Sequence, residues 1–222
     1  QRCSALRVLF IQSDIAEDVL HMLKGAMASL NAGDPRLLSS DLGPVIDSRA
    51  QKELQAHIDR MHREAKFIAK VELGSNCENG SFVAPHAFEI DSLDLLTEEV
   101  FGPILHVVRF DSDKLGDVIE QINNTGFGLT LGVHSRIQAF AQKVFSNTIA
   151  GNTYINRNMV GAVVGVNPFG GRGLSGTGPK AGGPNYLLRF SATNNRAEHQ
   201  KEFLVDEGGY PIVFDYVITP SF

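Results

Sequence analysis

Tryptophan is absent from the 222 residues, and cysteine occurs only twice, as Cys3 and Cys77. Two cysteines cannot build the disulfide framework of a small secreted domain, and they exclude zinc sites made from cysteine pairs. A reducing, cytoplasmic setting is expected. The seven histidines are dispersed, with no H-E-x-x-H or similar spacing, so no metal is expected. Basic residues are in the minority: 20 Lys and Arg against 25 Asp and Glu leave a net charge of −5. Without a basic stripe to release counterions from phosphates, and without an RNA-binding aromatic signature, nucleic acid is not an expected partner. No apolar run approaches the length of about 20 residues that spans a bilayer. Asp14, Glu17 and Asp18 interrupt the first apolar stretch, which is not the layout of a signal peptide.

What remains is the composition of an ordinary globular protein, 43% apolar and 20% charged, long enough to bury a full core. Residues 5–12 (ALRVLFIQ) form a continuous apolar run that reads as a strand covered on both faces. Asp14 and Glu17 have capping-box spacing, and Val19, Leu20, Leu23, Met27 and Leu30 follow with helical spacing up to Gly33 and Pro35. Ser48 and Gln51 repeat the capping pattern before Leu54, Ile58, Met61 and Ala65. Strands are expected at 81–90, 104–110, 129–135 and around Thr153–Asn156. Helices are expected at about 113–123 and 136–147. Strands alternating with helices imply βαβ units, hence an α/β fold with a mainly parallel sheet covered by helices.

Ten of the 22 glycines lie between Gly151 and Gly183. A flexible linker rarely carries Tyr154, Ile155, Met159, Val163, Val164 and Phe169, so ordered loops that approach a ligand are the better reading. The tail from about Ser191 is mixed, and YPIVFDYVI (210–218) could be an edge strand or pair with another chain.

Three stretches could carry chemistry, and each has a plain alternative. Cys3 is a nucleophile only if accessible and partly ionised, with Arg2 and Arg7 as available cations. On the residues alone a buried, inert thiol is the simpler reading. Cys77, in the polar GSNCENGS, reads as an incidental surface thiol. In TEEVFGP (97–103) the glutamates could form a solvated turn. Equally, a carboxylate held by a rigid Phe-Gly-Pro turn could accept hydrogen bonds from two ribose hydroxyls, with Phe101 beside an aromatic ring. In GAVVGVNPFGG (161–171), Gly161 and Ala162 could form a backbone nest for an anion, and Phe169 could wall a small pocket, or both could be structural turns. No Gly-Lys-Ser/Thr follows the later glycines, so this is not a phosphate-binding P-loop.

The order of the blocks is more specific than any one of them. QRCSA, LGPVID (42–47), EEVFGP (98–103), NNTGFGLTLGV (123–133), GNTYINR (151–157) and PFGGRGLSGTG (168–178) together resemble the aldehyde dehydrogenase superfamily. RCSALRVLFIQ, NRNMVGAVVGV and GLSGTGPKAGGP narrow the resemblance to the L-glutamate γ-semialdehyde (pyrroline-carboxylate) dehydrogenase domain of bifunctional proline utilization A proteins. It covers about residues 1–190, the thiol-bearing catalytic domain, and leaves 191–222 as a tail and candidate oligomerisation segment.

The resemblance implies a chemistry. A thiolate attacks the aldehyde to give a thiohemiacetal, hydride passes to NAD⁺, and water hydrolyses the thioester to the acid. Cys3 matches the nucleophile. Its own backbone N–H and an upstream Asn would hold the oxyanion. Glu99 matches the ligand of the nicotinamide ribose, and Phe101 the ring beside the nicotinamide. Ser4, Gly161 and Ala162 match the groups that bind the substrate's α-carboxylate, and Phe169 the wall of the aldehyde pocket. Family members are usually oligomers, so a homo-oligomer is implied.

The family's NAD-binding domain, general-base Glu and oxyanion Asn all precede its cysteine, where this chain has only Gln1 and Arg2. The expectation is therefore a portion lacking the N-terminal NAD-binding domain, inactive by itself. Two other readings compete: a general dehydrogenase of uncharged aldehydes, and a non-catalytic dehydrogenase-like assembly module. A cysteine hydrolase lacks a base, since His21 falls in the first helix and His57 and His62 in the second.

Overall fold

The apolar run at the start becomes β1 (Val8–Gln12), and its side chains divide between two cores. Val8 and Phe10 pack into one apolar cluster, Leu9 and Ile11 into the other. That period-two division follows from the alternation of side chains along a strand. In the protein's structure, a computed structural model that describes residues 2–190, β1 joins a four-stranded sheet of order β1-β4-β3-β2. β2 is Lys66–Lys70, β3 His86–Glu89 and β4 Ile104–Phe110. The β1–β4 and β3–β4 pairs are parallel, in the register Val8↔His106 and His86↔Ile104, while β2 runs antiparallel to β3.

Among the described residues, each face of this sheet carries one helix. α1 (Ala16–Ala28) buries Ala16, Leu20 and Met27 against Ile11, Ala87 and Val107. α2 (Ser48–Glu64) buries Leu54, Ile58 and Met61, spaced four and three residues apart, against Phe88, Ile104 and Val108. Such spacing puts all three on one helical stripe. The expected cap lies one residue earlier: Asp47 accepts from the Ala50 amide at 2.8 Å, satisfying a donor the first turn would otherwise leave open. The box expected at Asp14 does not form. A 3-10 turn at Ser13–Ile15 precedes α1, and Asp14 accepts from the Gln12 side chain instead. α1 also stops before Leu30, which stays exposed.

Beyond β4 the chain forms α3 (Leu115–Asn124), β5 (Phe127–Gly128), β6 (Thr130–Val133), α4 (Gln138–Asn147), β7 (Asn152–Ile155) and β8 (Arg172–Gly173). β6 and β7 pair in parallel, and β5 and β8 antiparallel. Leu115, Ile119, Val133, Ala141 and Val144 form a third cluster, reached by Phe110 from the end of β4. The α/β class and the mainly parallel sheet are as expected. The strand expected at 81–90 shortens to β3, because Pro85 has no N–H for a ladder. Its carbonyl accepts from Val71, and those of Ser81 and Phe82 from the Val45 amide and the Gln51 side chain. No helix among the described residues is long and apolar enough to cross a membrane. The tail 191–222, with the candidate pairing segment 210–218, lies outside the described residues.

Candidate active site

A single tight turn decides the fate of the first thiol. The Ala5 amide donates to the Arg2 carbonyl at 3.0 Å, closing a turn with Cys3 and Ser4 at its centre. Cys3 is exposed, whereas Ser4 is 2% exposed. Cys3 is thus not the buried thiol that the residues alone suggest. The opposite correction applies to Cys77, which is 6% exposed. The 3-10 turn at Ser75–Cys77 folds it beneath the loop after α1, where its thiol donates to the Ala32 carbonyl at 3.4 Å.

Ser4 ties this turn to the glycine-rich region. The Gly161 amide donates to the Ser4 hydroxyl oxygen at 3.0 Å, so the two ends of the proposed carboxylate site meet. Gly161 has φ +77°, a left-handed backbone that a side chain would strain. As it stands, the Gly161 N–H and the Ser4 oxygen satisfy each other. The hydroxyl keeps its own proton to donate.

Glu99 and Phe101 reach the same end of the sheet through Arg7. The Arg7 guanidinium donates to the Val100 carbonyl at 2.6 Å and to Glu99 Oε1 at 2.7 Å. It also lies over the Phe101 ring, 4.7 Å from its centroid. Both turn residues stay accessible, with 57% of the Glu99 side chain and 45% of Phe101 exposed. Gly102 follows because nothing larger fits: a Cβ there would lie 2.5 Å from both methyls of buried Leu54. Arg2, Ala5, Leu6 and Arg7 share a cavity of about 20 Å³ with Phe101 and Gly102, room for a single water.

Beneath Arg7 the sheet holds a histidine pair. The His106 amide donates to the Arg7 carbonyl at 3.0 Å. The His106 ring meets His57 of α2 with their Nε2 atoms 2.9 Å apart. Burial, reinforced by the neighbouring His57 and the cations Arg60 and Arg7, pushes His106 down to about 4. Burial also lowers His57. His57 is thus engaged inside the fold, and among the described residues no cluster of three or more His, Cys, Asp or Glu could hold a metal.

Phe169 is held by other bonds. Its backbone pairs in both directions with Ala181, at 3.0 and 2.9 Å. Asn152 clasps the same segment, donating to the Pro168 carbonyl and accepting from the Gly170 amide. The Gly161 amide bonds to the thiol turn at Ser4, whereas the Phe169 backbone pairs with Ala181. Two residues of this architecture were not anticipated as anchors. The sequence presents Arg7 only as a cation for Cys3, and Asn152 only as part of a motif. A polar side chain opening β7, two residues before Tyr154 and Ile155, is the available signal for Asn152.

Known proteins resemble this chain in sequence and in overall fold. The sequence profile of the aldehyde dehydrogenase family matches residues 1–195. The bifunctional protein PutA of Escherichia coli (strain K12) is 48% identical over 217 residues, covering 96% of this chain and 16% of PutA. A crystal structure of a Bradyrhizobium japonicum proline utilization A (PutA) variant superposes with a TM-score of 0.83 at 54% identity, over 86% of this chain and 19% of that one. A Thermus 1-pyrroline-5-carboxylate dehydrogenase with bound NAD superposes with a TM-score of 0.76 at 33% identity, over 84% of this chain and 36% of that one. The chain thus spans only a minor part of the relatives it matches. Profile, relatives and fold converge: the chain belongs to the aldehyde dehydrogenase family.

Proposed function

We propose that the chain is the thiol-bearing catalytic portion of an NAD-dependent L-glutamate γ-semialdehyde dehydrogenase of proline catabolism. The observation that carries this reading is the 3.0 Å bond from the Gly161 amide to Ser4, next to the exposed Cys3. It gathers a nucleophile, a hydroxyl and a small-residue loop at one point, as an aldehyde bearing an α-carboxylate requires.

Cys3 attacks the aldehyde carbon as a thiolate, forming a C–S bond and a thiohemiacetal oxyanion that its own backbone N–H faces. The same sulfur carries the acyl group as a thioester until water releases the acid. The Ser4 hydroxyl proton and the Ala162 amide receive the substrate carboxylate, and Phe169 walls the pocket. The turn residues fit a nicotinamide cofactor. Glu99 presents an accessible carboxylate with Oε1 held by Arg7, which leaves Oε2 for a ribose hydroxyl, and Phe101 offers a half-exposed ring. NAD⁺, when bound, supplies the two-electron acceptor. The exposed Cys3 thiol must stay reduced to act, which favours the cytoplasm.

Because the matched region is 36% of the Thermus dehydrogenase, the reaction is assigned to this chain within a full-length enzyme. The 222 residues alone are expected not to turn over. The experiment follows NADH formation by the full-length protein with glutamate semialdehyde and, separately, with hexanal. Preference for the semialdehyde is expected, and equal use of both would overturn the carboxylate assignment. Turnover by the isolated chain near a typical enzyme's rate of about 10 s⁻¹ would overturn its assignment as a portion.

A further inference from the structure

We propose that Arg7 is a positioning residue for NAD⁺, presetting Glu99 and Phe101 from a side chain that lies four residues after the thiol. The inference rests on the reading that Glu99 and Phe101 face the cofactor. Its physical basis is independent of the aldehyde used.

One guanidinium performs three tasks at once. It donates to the Val100 carbonyl, donates to Glu99 Oε1 and covers one face of Phe101. A planar fork can serve a carbonyl, a carboxylate and a ring together, whereas an ammonium offers only a point charge. The Arg7 side chain is 23% exposed and Glu99 57%. An exposed Glu without this partner would sample several rotamers, and binding would have to restrict them. Arg7 is itself fixed, since its carbonyl accepts from the His106 amide inside the sheet. The turn is therefore seated on β1 and β4 rather than on its own loop. The bond uses only Glu99 Oε1 among the two carboxylate oxygens, so the anchor does not consume the group it orients.

The test uses the full-length dehydrogenase and its Arg7→Ala, Arg7→Lys and Glu99→Gln variants, with the Arg7→Ala/Glu99→Gln double variant. NAD⁺ affinity is read by titration calorimetry, alongside thermal midpoints and KM for NAD⁺ and for the aldehyde. Arg7→Ala is expected to raise the NAD⁺ Kd about fivefold while leaving KM for the aldehyde unchanged. Arg7→Lys, which keeps the stem and charge, is expected to lose about twofold and guards against failure to fold. In the Glu99→Gln background the Arg7→Ala effect should shrink, because the two residues act as one unit. An unchanged Kd with a lowered melting point would reduce Arg7 to a structural prop and overturn the proposal. A tightened Kd would also overturn it, since Arg7 would then compete with the cofactor for Glu99. Should the parent bind NAD⁺ yet ignore glutamate semialdehyde, the substrate assignment fails while the Arg7 result stands.

Discussion

The Gly161 amide and the Ser4 hydroxyl oxygen meet at 3.0 Å across 157 residues of chain. Ser4→Ala removes the acceptor and the hydroxyl proton together. For the full-length enzyme, steady-state kinetics should show kcat/KM for glutamate semialdehyde falling by a factor worth roughly 1–3 kcal/mol. Hexanal, with no carboxylate, should be unaffected. An equal loss on both aldehydes would assign Ser4 to holding the loop alone.

The two thiols differ in access, so alkylation should separate them. Iodoacetamide is expected to modify exposed Cys3 at least about tenfold faster than Cys77, which reacts only as its loop opens. Peptide mass spectrometry over a time course reads both sites. Comparable rates would contradict the burial of Cys77 beneath the Ala32 carbonyl.

Acid should unfold the protein through its buried histidines. His106 has a native value of about 4 against an ordinary 6.5, chiefly because burial disfavours its cation. The unfolded chain therefore binds more protons between these values. Stability is full above pH 6.5 and declines as pH falls toward 4, by about 3 kcal/mol from this residue. Urea midpoints measured across that window should fall steadily. His106→Leu should flatten the decline, with the remaining slope due to His57 and His86, which burial also lowers. The same slope in the variant would clear His106 of the effect.

A methyl at position 102 would collide with Leu54, a core residue 5% exposed. Gly102→Ala is expected to cost roughly 1–3 kcal/mol as the turn or the helix gives way. Leu54→Ala should cost roughly 2–5 kcal/mol alone. Combined, the two should cost less than their sum, because the shortened side chain makes room. Thermal melts of the two single variants and the double variant supply the cycle, and strict additivity would rule the contact out.

Elements whose side chains face a common core could be read from the sequence. Ile104–Phe110 is a strand as expected, and the Leu54, Ile58 and Met61 stripe lies on α2. β2 could not be read in this way. Its KFIAK is framed by lysines whose charges are met by acidic neighbours, Lys66 by Glu89 and Lys70 by Glu72, and its place as an edge strand depends on β3. The burial of Cys77 depends on Ala32, 45 residues earlier, so a polar local sequence pointed the wrong way. The motif blocks point to Cys3, Ser4, Glu99, Phe101 and Gly161 as candidates, but not to what holds them. Arg7 and Glu99 are 92 residues apart, and no local pattern marks such a pair.

The place of β1 in the sheet also bears on the order of assembly. β3 finds β2 and β4 among near neighbours in the chain, whereas β1 sits at the sheet edge with Val8 paired to His106. Closing the longer loop is entropically harder, and contacts distant in sequence form slowly. During synthesis the strand that follows the Arg2–Ala5 turn leaves the ribosome ahead of β4, the partner on which it must dock. The turn holding Cys3 and the Arg7–Glu99 pair thus come together only after β4 and the turn before it have been translated.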